Sequence, residues 1–155
     1  MSKLLEEILE RKRKRLTAEY LIERKLCQKW IANCQNLMSR ITEWLEHLED
    51  ANYLEIELEN IPIWEDQFGE YEVPALRLVF LKRQILSIKP IGYFVIGSRG
   101  RVDITAGITS LAMLIHRGDD EWEFAKRMGR YGKLRTWAFN QETFEEFLIA
   151  FLEEE

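Results

Sequence analysis

No glycine or proline occurs before Pro62, so the first 61 residues lack the usual signals for ending a helix. Within them runs a heptad stripe, Cys27, Trp30, Cys34, Leu37, Ile41, Trp44 and Leu48, spaced 3-4-3-4-3-4. That repeat keeps one side of an α-helix facing a partner. Glu, Lys, Arg and Leu dominate residues 3–49, and the composition predicts helix almost throughout. Such a helix would be about 70 Å long, more than twice the span of a compact domain of about 100 residues. Either it projects and pairs with another chain, or it breaks, with Thr17 as the internal N-cap.

The stripe is wider than a two-stranded zipper needs, because the neighbouring positions Ile31, Met38 and Leu45 are apolar too. This suggests two contacts, one with the chain's own sheet and one with a second chain. Trp30 and Trp44 are large for a two-stranded seam and favour packing against a sheet or a bundle. Toward the N-terminus the register decays: Arg13 and Glu23 fall on seam positions, while Leu9, Leu16 and Tyr20 keep it. Cys27 and Cys34 lie on one helix face, where an intrachain disulfide cannot close, and they read as small packing residues. Paucity of cysteine points to a reducing, cytoplasmic setting.

After Asn52 the period changes to two. Leu54, Ile56 and Leu58 alternate with Glu55, Glu57 and Glu59, a strand with one wet face. Pro62 to Gly69 reads as a loop. Alternation resumes around Leu76–Phe80, Ile85–Ile88, Tyr93–Ile96, Val102–Ile104, Leu111–Ile115, Trp122–Phe124 and Leu134–Phe139. Turn signals separate these runs at Lys89–Gly92, Gly97–Gly100, Gly107, Arg117–Asp119 and Gly129–Gly132. Asp119–Met128 also suits a short helix, but the alternation of Trp122 and Phe124 favours strand. The chain closes with a helix capped by Asn140, with Phe139 placed to staple onto Phe144. Its apolar face is Phe144, Phe147, Leu148, Phe151 and Leu152.

The expectation is therefore an α+β protein. Residues 1–50 form a long amphipathic, coiled-coil-like helix for oligomerisation or partner binding. Residues 51–155 form an antiparallel meander of about six to eight strands with the C-terminal helix packed on it.

Charge is unevenly spread beneath a net −5. Residues 83–139 hold ten Lys/Arg against five Asp/Glu, whereas residues 140–155 hold none against six. The run Arg11-Lys12-Arg13-Lys14-Arg15 can grip phosphates, but nearby glutamates offer i,i+4 pairs such as Glu7 with Arg11. Gly97-Ser98-Arg99-Gly100 is similar, over about six residues, to the glycine-bracketed loop of KH domains. A KH loop lies between helices, and the flanks here alternate like strands, so a hairpin turn explains both glycines. Arg99, Arg101, Arg130, Lys133 and Arg135, with Tyr93, Trp122, Tyr131 and Trp137 among them, would suit a stacking platform for single-stranded nucleic acid. The competing reading puts the aromatics in the core.

Catalytic motifs are absent from the sequence: there is no Cys-x-x-Cys, no His-x-x-x-His, no Gly-x-Ser-x-Gly and no phosphate-binding loop. Asp103, Glu121, Glu123 and Lys126 are the best that can be assembled for a metal-dependent hydrolase. No cofactor or small-molecule ligand is indicated. No run of apolar residues is long enough to span a bilayer. The leading expectation is a non-enzymatic interaction or adapter module, homodimeric or joined to another protein through residues 27–48. The alternative is nucleic-acid binding through Arg11–Arg15 and residues 89–135.

Overall fold

The computed structural model describes residues 2–95, 98–130 and 132–154. It contains a long helix, α1 (Lys3–Asp50), and seven strands: β1 (Leu54–Glu65), β2 (Gly69–Phe80), β3 (Gln84–Val95), β4 (Ser98–Ala106), β5 (Thr109–Gly118), β6 (Glu121–Arg127) and β7 (Leu134–Ala138). A final helix, α2 (Gln141–Glu153), follows. Each strand pairs antiparallel with its successor, giving one sheet in the order β1-β2-β3-β4-β5-β6-β7. This is the α+β meander that the periodicity predicts.

α1 does not break. Thr17 lies inside it, donating its hydroxyl to the carbonyl of Arg13 at 2.8 Å, which makes it a back-bonded interior residue rather than a cap. The true N-cap is Ser2, whose hydroxyl accepts from the Leu5 N–H. At the other end Asn52 takes a left-handed φ of 64°, a conformation Asn tolerates, and the chain turns into β1. The capping of α2 agrees with its sequence signal. Asn140 and Thr143 exchange side-chain and backbone bonds of 2.9 and 3.0 Å, and the Phe139 and Phe144 rings meet at 5.7 Å.

Two turns expected from proline and glycine are absent. Pro62 continues β1 opposite Glu72, because β1 is an edge strand with no second neighbour to require its N–H. Pro90 continues β3 opposite Val102, and a bulge between Pro90 and Gly92 absorbs the irregularity. The segment Asp119–Met128 resolves as strand β6. Ile96, Gly97 and Tyr131 fall outside the described residues.

One hydrophobic cluster joins both helices to the sheet. Trp30, Cys34, Leu37, Met38, Ile41 and Leu45 of α1 pack with Leu78, Leu86, Ile88, Val102, Ile104, Leu114 and Phe124, all at most 4% exposed. α2 adds Phe144 and Leu148, and its Phe147 stacks on Phe124 at 5.4 Å. Only the C-terminal half of α1 takes part. The first 22 residues described, Ser2 to Glu23, include no buried residue and a single half-buried one, Glu23.

Leu37→Ala should therefore lower the unfolding free energy by about 2–5 kcal/mol, read from the urea midpoint. Leu4→Ala, on the uncovered half, should change it by less than about 0.5 kcal/mol. Similar shifts for the two would show that the halves of α1 are packed alike.

Candidate functional site

The heptad residues are brought together, but by the chain's own sheet. Trp30, Cys34, Leu37 and Ile41 are 0–1% exposed, and Cys27, Trp44 and Leu48 pack against the same cluster while partly buried. The buried positions among residues 27–48 are thus taken up by the chain's own core. The stripe reports a covered face, and here the sheet covers it. Burial pushes the Cys34 thiol up, and burial followed by the Glu65 charge does the same for Cys27. Both thiols are thereby poor nucleophiles.

Beyond the sheet the stripe continues uncovered. Leu9, Leu16 and Tyr20 keep the heptad register and are 56–59% exposed, with Leu5 beside them at 40%. Leu4, Leu21 and Ile22 add further exposed apolar surface on other sides. On this same half the basic run is solvent-facing. Arg13 pairs with Glu10 and Arg15 approaches Glu19 at 4.0 Å, in place of the Glu7–Arg11 pair that spacing alone suggests.

The remaining basic residues do not form one surface. Arg101 turns to the sheet face opposite the core and holds Asp103 through two bonds of 2.7 and 3.0 Å. Arg135 lies over the Trp137 ring at 5.4 Å, and that ring stacks on buried Phe124 at 5.1 Å. Arg130 and Lys133 are exposed in the β6–β7 connection. Trp122 is buried, so it offers no stacking surface. The acidic set also fails to converge: Asp103 is tied to Arg101 and Glu123 faces Arg117 at 3.4 Å. Among the described residues, no group of three His, Cys, Asp or Glu side chains is placed to hold a metal ion.

Arg99 behaves differently, because it opens onto a cleft of about 690 Å³. One wall is a single face of α1, formed by Leu26, Lys29, Trp30 and Asn33 at successive turns. Tyr93 and Arg99 supply the second wall, and His116 to Asp119, at the β5–β6 turn, the third. That turn holds Asp119 at a left-handed φ of 42°. His116 Nε2 lies 2.8 Å from the Asp119 carbonyl, and Arg40 of α1 donates to the Asp120 carbonyl at 3.0 Å. The wall is therefore anchored to the helix at a strained point.

Trp30 lies behind this cleft at the centre of a polar relay. Its indole N–H donates to the Tyr71 hydroxyl at 3.2 Å, and Tyr71 donates in turn to the Glu65 carboxylate. Glu65 also accepts the N–H groups of Tyr93 and Phe94 at 3.2 and 2.9 Å. Two glycines make the approach. A Cβ on Gly92 would meet Glu65 Oε1 at 2.6 Å, and one on Gly100, whose φ is +111°, would meet the Trp30 ring at 2.5 Å. Sequence reasoning missed Glu65 and Tyr71. The available signal was a glutamate at the end of a β-run, paired with nothing nearby in sequence.

Comparison with known proteins supplies no relative: no family model matches the chain, no curated protein matches it, and no solved structure matches its fold.

Burial first, and then the Glu65 carboxylate, raises the Tyr71 phenol above its ordinary range, with the Trp30 N–H working the other way. The folded chain thus holds this proton more tightly than the unfolded chain. The relay's contribution is complete below the ordinary phenol value of about 10 and is lost as pH climbs beyond it. Absorbance titration should show one phenol ionising only with unfolding, and Tyr71→Phe should remove that late step. A wild-type chain whose phenols all ionise while it stays folded would contradict the relay.

Proposed function

We propose that this chain is a non-enzymatic assembly module that associates through the N-terminal half of α1, with a second copy of itself as the partner. The observation that carries this reading is the uncovered continuation of the core stripe, Leu5, Leu9, Leu16 and Tyr20, on a helix that leaves its sheet behind. A lone helix of about 20 residues is marginal in water, and an apolar stripe along it costs solvation until something covers it.

Charge order favours a second copy running antiparallel. In a parallel, in-register pair Arg13 would face Arg13 and Glu23 would face Glu23, both at seam positions. An antiparallel pair centred near Thr17 instead sets the basic run of each copy against Glu19 and Glu23 of the other. Leu16 and Tyr20 of both copies then occupy the middle. Contact with nucleic acid through Arg11–Arg15 has less support, because Glu10, Glu19 and Glu23 divide the positive charge.

Light scattering on nucleic-acid-free protein should give twice the 18.5 kDa of one chain. Burial of leucine should make that mass persist at high salt. Leu16→Asp should yield a monomer whose sheet and cooperative unfolding are intact, since Leu16 is exposed in the single chain, with any loss of helical signal confined to the N-terminal half of α1. A wild-type chain that is monomeric at every concentration, or a dimer unmoved by Leu16→Asp, rejects the helix as the contact.

A further inference from the structure

We propose that the cleft between α1, strands β3 and β4 and the β5–β6 turn binds a small phosphate-bearing ligand with a planar ring, a nucleotide in chemical class. Three cations converge there from separate elements: Lys29 from the helix, Arg99 from β4 and Arg117 from β5. Neither the Lys29 nor the Arg99 side chain makes a hydrogen bond or ion pair among the described residues, whereas Arg117 is paired with Glu123 at 3.4 Å. In a protein of net charge −5, Lys29 and Arg99 face one concavity without a carboxylate partner, and they outnumber the one acid among the described residues that lines it, Asp119, so together they mark a place for an anion.

The rest of the cleft specifies more than an anion. Its volume, about 690 Å³, lies in the range of organic-ligand pockets, about 300–1,000 Å³, and far exceeds that of a bare phosphate. Tyr93 is half-buried at its edge, braced by Trp30, Phe68 and Phe94 with ring centroids 6.2, 5.7 and 4.9 Å away. A ring held on three sides by other rings loses little entropy when a flat ligand stacks on it. Asn33 places an amide, with a donor and an acceptor and no partner among the described residues, within the same space. Phosphate between Lys29 and Arg99, ring against Tyr93 and ring edge at Asn33 is the arrangement these groups allow.

A nucleic-acid strand fits less well. Along α1 the basic run lies about 20 Å from Lys29; Arg24 and Lys25 lie between, but Glu19 and Glu23 interrupt the positive charge between them and the run.

Calorimetric titration at low salt with adenosine and guanosine monophosphate and diphosphate tests the proposal, with inorganic phosphate and a single-stranded decanucleotide as comparators. At least one nucleotide should bind, and inorganic phosphate should bind at least about tenfold more weakly. Arg99→Ala and Lys29→Ala should each weaken the nucleotide about tenfold or more while leaving the melting temperature of the free protein unchanged, because neither side chain has a partner to lose. Tyr93→Leu should weaken the nucleotide and leave phosphate binding unaltered. Four results overturn the proposal: no nucleotide heat; affinity unmoved by Arg99→Ala and Lys29→Ala; phosphate bound as tightly as nucleotide; or tighter binding of the decanucleotide that is abolished by replacing Arg11–Arg15. Leu16→Asp, which tests assembly, should leave nucleotide binding intact, so the two readings fail separately.

Discussion

The hydrogen bonds that converge on Glu65 solve a problem created by the sheet's own sequence. β2 pairs with β3 only from Leu76 to Phe80, and beyond Ile88 the two strands part company. Pro74 in β2 and Pro90 in β3 lack the N–H groups that continued pairing would use. The β1–β2 hairpin runs on without its neighbour, and its far end would be a free two-stranded ribbon. Such ribbons are marginal in water. Glu65 secures it by accepting two N–H groups of β3, and Tyr71 joins that carboxylate to Trp30 on the helix. Phe68 at the hairpin turn then packs against Tyr93 and Phe94, at 5.7 and 4.8 Å. The position of Trp30, and so the back of the cleft, depends on this tie.

The sequence patterns that are local in origin were the legible ones. Helix α1, the Asn140 cap, the Phe139–Phe144 contact and the alternating strands each depend on residues a few positions apart, where spacing translates directly into geometry. The heptad stripe was legible only by half. A stripe says that a face is covered, and says nothing of whether a sheet of the same chain or a helix of another does the covering. The size of Trp30 and Trp44 leaned toward the sheet; Trp30 is buried against it, whereas Trp44 is partly buried against Phe139 and Phe144.

What stayed hidden needed register over long separations. Pro62 and Pro90 looked like turns because proline ends strands that are paired on both sides. An edge position for one and a bulge for the other remove the objection. The cleft draws on four separate segments, from Leu26 to Asp119, and no spacing rule connects them. Arg99 and Arg101 looked equivalent in sequence, two residues apart in a basic stretch. The fold gives Arg101 a carboxylate two residues along and leaves Arg99 with none, which only the surroundings of β4 could decide.

The sheet's edges narrow the ways in which two copies could meet. β1 is an open edge, but Pro62 interrupts its donors and the Ile56 N–H is already taken by the Glu49 carboxylate at 2.8 Å. Its wet face also carries Glu55, Glu57 and Glu59, so a second β1 laid alongside would bring like charges together. β7 is only five residues long, with Arg135 on it and Lys133 just before it. Neither edge suits strand addition. Both sheet termini run into helices whose buried faces are already occupied, and α2 carries six glutamates with the tail that follows it. The uncovered apolar residues in heptad register with a covered face lie instead along the N-terminal half of α1. With both strand edges blunted, that uncovered stretch of α1 is the surface on which the proposed helix contact rests.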